Sequence, residues 1–119
     1  MPEPSTPPDR DAAVARRFDD WIRPRLRAMI TDELIAEHER QPLGQHSDAL
    51  ERVLNYFRRQ PIPDKYAIVC TVPDREWRIC RLSGRRGVGP ALIDDEVFNS
   101  EEKAHHAVFL RRIRDLRGS

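Results

Sequence analysis

Aromatic residues are scarce in this sequence, at 7% of the chain, and lysine is scarcer: Lys65 and Lys103 are the only lysines among 21 cationic residues. With so few rings, each aromatic position carries information about the core. With so little lysine, the cations are arginines, which pair carboxylates bidentately and favour interfaces. A genome biased towards arginine codons would give the same composition. Cysteine is limited to Cys70 and Cys80. Two thiols cannot supply a disulfide framework, and alone they do not make a zinc site. No apolar run approaches the roughly 18 residues a membrane span needs. The N-terminal stretch is Pro-rich and acidic, without the apolar core of a secretory signal. These absences predict a cytoplasmic protein with reduced thiols and no membrane contact. Excess charge of either sign is also missing: the net charge is +1, which argues against nucleic acid as a partner of the whole chain.

What is present fits one small domain. A chain of 119 residues can bury roughly 65% of its unfolded surface. Hydrophobic residues make up 39% and charged residues 34%, a thin core under a rich surface, or a core completed against a partner. Residues 1–8 hold four prolines and are expected to form a flexible tail. Residues 9–119 are expected to form a single helix-dominated α+β domain. Asp9–Arg23 reads as a helix with the stripe Val14, Phe18, Trp21 and Ile22. Pro24 predicts a kink, or a second helix that continues through Leu26, Met29, Ile30, Leu34 and Ile35 to Glu39. Leu50, Val53, Leu54 and Phe57 recur at helical spacing and mark a central helix, capped by Ser47 or Asp48 and closed before Pro61. Residues 65–72 and 76–82 alternate in two around Pro73-Asp74, a β-hairpin whose apolar face must lie on helices. Residues 91–98 can hold a short third strand. A last helix follows Asn99 or Ser100, with Glu101 and Glu102 in its first turn, arginines in its last turns and Gly118 as its stop.

A search for chemistry returns little. His105 and His106 are adjacent on a helix and point about 100° apart, a poor chelating pair. His38 and His46 flank a loop without matched cysteine or carboxylate spacing. Asp94, Asp95 and Glu96 lack the spacing of a calcium loop. Gly84, Gly87 and Gly89 lie among arginines but match neither phosphate-loop pattern, so residues 83–90 read as a flexible surface loop. Cys70 and Cys80 fall in predicted strands, where cysteine is usually a small buried hydrophobe. No nucleophile, base and orienting group assemble, so the residues give neither a catalytic nor a metal site on this chain.

The remaining signal is a second face on the helices. Projected around the central helix, Arg52, Asn55 and Tyr56 with Arg59 lie away from the apolar stripe. On the last helix Leu110 points away from Ala104, Val108, Phe109, Ile113 and Leu116, among Arg111, Arg114 and Arg117. Aromatic and arginine side chains off the core are the usual material of interface hot spots. Arg52, Asn55, Tyr56, Arg58, Trp77, Leu110, Arg111 and Arg114 are therefore the expected partner-binding residues.

Three stretches resemble the small subunit of N,N-dimethylformamidase: Arg52-Val53 with Asn55-Tyr56-Phe57-Arg58 and Gln60-Pro61; Arg75-Glu76-Trp77; and Glu101-Glu102 followed by His106–Ile113. The looser run Glu37-His38, Pro42-Leu43-Gly44 and Leu50 also fits, so the resemblance spans about Glu37 to Arg117. The N-terminal third and residues 83–90 depart from it. The resemblance implies a two-chain, iron-dependent amidohydrolase that converts a small N-substituted formamide to an amine and formate. Its large subunit holds the iron and the active site, and this chain carries no cofactor. Hydrolysis would use iron-activated water, and this chain would serve assembly. A rival reading is a stand-alone α+β adaptor that binds nucleic acid weakly through Arg85, Arg86 and the C-terminal arginines.

Overall fold

The computed structural model describes residues 6–118, as four helices and a three-stranded antiparallel sheet. The elements in order are α1 (Thr6–Met29), α2 (Asp32–Arg40), α3 (Asp48–Arg58), β1 (Tyr66–Val72), β2 (Glu76–Arg81), β3 (Ala91–Leu92) and α4 (Glu101–Gly118). Of the expected tail, residues 1–5 lie outside the described residues. Pro7 and Pro8 sit in the first turn of α1, where a missing N–H removes no helical bond.

The break in the N-terminal helices is not at Pro24. Helix α1 runs through Pro24, and the chain turns instead at Ile30-Thr31. A proline ring crowds the carbonyls one turn back, and the Arg25 guanidinium donates to the Trp21 carbonyl at 2.7 Å. The new helix begins where its start is satisfied: the Thr31 side chain accepts from the Leu34 N–H, and Asp32 and Glu33 occupy the first turn. The expected apolar run from Leu26 to Ile35 is thereby divided between two helices that still share one core.

That core is organised around α3. Leu50, Val53, Leu54 and Phe57 are all buried, and Leu50 and Val53 fully so. Burying an aliphatic side chain of this kind contributes about 1.5–3 kcal/mol. Around them lie Leu26 and Ile30 of the α1 end, Leu34 of α2, and Phe109, Ile113 and Leu116 of α4. Ser47 caps α3 as expected, accepting from Leu50 N–H at 3.3 Å. Glu37 of α2 accepts from both the N–H and the hydroxyl of Ser47 at 2.7 Å, which locks the two helix ends together. The C-terminal ends of α1 and α4 cap each other. Arg27 donates to the Leu116 carbonyl at 2.9 Å and Arg117 to the Ile30 carbonyl at 3.2 Å.

The hairpin forms as the alternation predicts, with Tyr66 opposite Arg81, Ile68 opposite Ile79 and Cys70 opposite Trp77. Asp74 turns it with a φ of 62°, a left-handed conformation that Asp tolerates. Tyr66 and Ile79 pack under Val108 of α4 in a second, smaller cluster. Cys70 does not share that burial: it lies past the residues α4 covers and is exposed, whereas Cys80 is buried. The third strand is short, Ala91–Leu92, and the rest of the arm returns to the sheet by a bridge between Phe98 and Trp77. Ser100 caps α4, accepting from Lys103 N–H at 3.1 Å. No helix among the described residues is long and apolar enough to cross a membrane.

Candidate functional site

The expected partner-binding residues are not one patch. Arg52 and Asn55 are exposed on α3, and Asn55 accepts from Arg58 at 3.0 Å. Tyr56 instead turns towards α1. Its hydroxyl donates to Asp19 at 2.6 Å, and Arg23 donates to that hydroxyl at 3.3 Å while pairing with Asp19 at 2.7 Å. Burial, and then the Asp19 carboxylate, push the Tyr56 phenol up. Trp77 is half-buried on β2, between Cys70 and Phe98. Leu110 is exposed on α4. Arg111 is drawn back onto the arm before the helix, 2.7 Å from Asp94 and 3.4 Å from Glu96, and the Glu96 N–H, followed by Arg111, lowers the Asp94 carboxyl. Arg114 is exposed, 3.9 Å from Asp115. The acidic trio at 94–96 thus contributes structural partners for α4.

A row of exposed apolar side chains lies elsewhere. Val14, Phe18 and Trp21 of α1 retain 58%, 52% and 52% of their surface in solvent. Their spacing is that of a stripe, and sequence periodicity finds it. Among the described residues, however, the core receives α1 from Ile22 onward. Phe18 and Trp21 lie 6.1 Å apart between ring centres, and Arg25 stacks on Trp21 at 3.9 Å. Scattered exposed hydrophobics need no explanation, but a row of them on one helix with an arginine beside it is hot-spot material.

The fold also gathers histidines that the sequence separates. His38 of α2 is 3% exposed and stacks on Phe109 with 4.0 Å between ring centres. Its Nδ1 lies 2.9 Å from Nδ1 of His106, so one ring donates and the other accepts. His46 stacks behind it at 6.0 Å, held by Glu51 at 3.2 Å and the Gln41 carbonyl at 2.6 Å. The loop reaches this position through Gly44, whose φ of 108° is a left-handed conformation that favours glycine. Burial, then the neighbouring imidazoles of His106 and His46, lower the His38 pKa to about 4. Burial also lowers His105 and His106. Nδ1 of His38, Nδ1 of His106 and both nitrogens of His46 are thus engaged with one another or with protein acceptors. No group of three or more His, Cys, Asp or Glu among the described residues could hold a metal ion.

One residue was legible but unread. Projected at about 100° per residue, Arg112 falls inside the apolar face of α4, between Val108 and Phe109. The structure lays its guanidinium against the hairpin, where it donates to the Tyr66 carbonyl at 3.2 Å. It lines a groove of about 560 Å³ with Arg58, His105, Leu43, Ile68 and Trp77.

The family model for the N,N-dimethylformamidase alpha subunit matches residues 13–119. An N,N-dimethylformamidase alpha subunit from Paracoccus aminophilus is 44% identical over 122 aligned positions, covering 97% of this chain and 84% of that protein. One from an Alcaligenes species is 41% identical, covering 97% of this chain and 89% of that protein. The match includes most of α1, the third of the chain that the sequence motifs had left outside the resemblance. With both relatives above 40% identity along nearly the whole chain, this protein belongs to the N,N-dimethylformamidase alpha subunit family.

Proposed function

We propose that this chain is the non-catalytic small subunit of an iron-dependent amidohydrolase of the dimethylformamidase type. It docks on a large catalytic subunit and stabilises the hetero-oligomer. In that assembly the large subunit holds the iron and hydrolyses a small N-substituted formamide to an amine and formate. The bound metal would supply an activated water. The side chains of this chain position and stabilise, and take no proton in the reaction.

The observation that carries the proposal is the exposed stripe Val14, Phe18 and Trp21, in a chain whose relatives are named as subunits. A thin-cored domain leaves a row of large apolar side chains in water only at a cost that a partner surface removes. The occupant of this face is the companion subunit. The test is a pull-down of a dimethylformamidase large subunit with tagged wild type and with a Phe18→Ser/Trp21→Ser double variant. The wild type retains the large subunit and the double variant loses it, with both folds unchanged by circular dichroism. Equal retention by both proteins rules out α1 as the docking face.

A further inference from the structure

Among the arginines of α4, Arg111 and Arg112 are adjacent and differently served. Arg111 reaches two carboxylates, Asp94 and Glu96. Arg112 is the more deeply placed, on the core side of the helix, over Phe57 at 5.9 Å, yet its hydrogen-bond partner is one backbone carbonyl, that of Tyr66. No carboxylate among the described residues lies within ion-pair distance of it. The nearest carboxylate on its own helix, Asp115, already accepts from the Tyr66 hydroxyl at 2.8 Å. Arg58 on α3 opposes its charge, and His105, two turns back on α4, is lowered first by burial and also by Arg112.

A guanidinium carries five donors in a planar fork suited to a carboxylate, and desolvating it without an anion is unfavourable. The groove around Arg112 therefore has a definite character. Arg58 adds a second positive charge, Leu43, Ile68 and Trp77 add apolar wall, and Glu101 is the one acidic lining residue. Arg58 stands at the rim, its side chain 59% exposed and 3.5 Å from Glu51. The groove is open enough to admit a side chain from outside.

We propose that the groove between α3, β1 and α4 receives an acidic segment of the companion subunit, whose carboxylate pairs with Arg112. The proposal rests on the assembly reading above and adds to the α1 stripe a second, charge-specific contact. Charge complementarity favours this occupant. Among the described residues no carboxylate is paired with this core-side arginine, and the apolar walls suit the flanking residues of an inserted segment. Pairing across a desolvated interface fixes register as well as affinity.

The experiment measures the affinity of the large subunit for wild type, Arg112→Gln and Arg58→Gln at low and high salt, by calorimetry, with the unbound chains checked by circular dichroism and sedimentation. Glutamine can keep the bond to the Tyr66 carbonyl. The inference expects Arg112→Gln to weaken binding roughly 30-fold or more. Arg58→Gln, an exposed change that leaves the fold intact, should weaken it several-fold and flatten the salt dependence. Wild-type binding with unchanged affinity and salt dependence in Arg58→Gln overturns the inference even if Arg112→Gln fails to fold. An isolated chain that is dimeric as wild type and monomeric as Arg112→Gln overturns it too, in favour of a second copy. A wild-type chain that does not bind at all overturns the assembly reading itself.

Discussion

Acidification should unfold this protein through its histidine cluster before its carboxylates are protonated. His38 is 3% exposed, and its pKa is lowered to about 4 from an ordinary 6.5. A folded-state pKa below the unfolded value means that the unfolded chain takes up a proton, between those two limits, that the native chain refuses. Stability is therefore full above about pH 6.5, falls as pH drops towards 4, and levels off below the native pKa. A shift from 6.5 to about 4, at 1.36 kcal/mol per pH unit, comes to about 3 kcal/mol. That is a large part of the 5–15 kcal/mol that holds a typical domain together. His105 and His106 are lowered as well, which adds loss of the same sign. The lowered carboxyls, Glu37 and Asp94, act in a different window: their contribution is lost only as pH falls below the ordinary carboxyl range. The charges facing His38 are Glu37 on its own helix, His46 on the loop and His105 and His106 on α4. Urea denaturation followed by circular dichroism at pH 7.5, 6.5, 5.5 and 4.5 reads the slope. The reference is His38→Phe, which retains a ring to stack on Phe109. The wild type should lose about 3 kcal/mol over this range and His38→Phe markedly less. A wild type equally stable at pH 6.5 and 4.5, or a variant with an identical slope, refutes the reasoning.

Other substitutions separate core from seam and surface. Leu50→Ala, at a fully buried position of α3, should cost about 2–5 kcal/mol in chemical denaturation, through lost burial and the cavity left. A cost below about 1 kcal/mol would remove Leu50 from the core. Tyr56→Phe deletes the hydroxyl that ties α3 to Asp19 and Arg23 and should cost about 1 kcal/mol; no change would mean that the α1–α3 seam is held by packing alone. Ser47→Ala removes both the α3 cap and the anchor of Glu37, at about 1 kcal/mol. Phe18→Ser should leave the stability of the isolated chain within about 0.5 kcal/mol, because its ring is half in solvent.

Much of the fold was legible because it rests on local period. The α3 stripe, the buried face of α4 and the hairpin register follow from spacings of three, four and two, and the structure buries Leu50, Val53, Leu54, Phe57, Val108 and Phe109 accordingly. A second helix starting at Pro24 is not what forms; the helix continues through this local breaker. Tertiary packing carries α1 past the proline, and the stop is set by a cap, Thr31 followed by Asp32 and Glu33, that the sequence also displays. Periodicity finds an apolar stripe but not what covers it, so Val14, Phe18 and Trp21 were indistinguishable from core. Tyr56 could not be placed either, since its partners lie 33 and 37 positions away. The histidine cluster joins α2, the loop after it and α4, a proximity made by the fold alone. Arg112 was the readable exception, a cation written into an apolar helical face.

The central claim, that this chain assembles and does not catalyse, is tested most directly by mixing it with the large subunit and measuring sedimentation and formate release from N,N-dimethylformamide together. The account predicts no formate from this chain alone, a single hetero-oligomer on mixing, and hydrolysis that sediments with that species. Formate release by the isolated chain, or two components that sediment separately while hydrolysis proceeds at full rate, would contradict it.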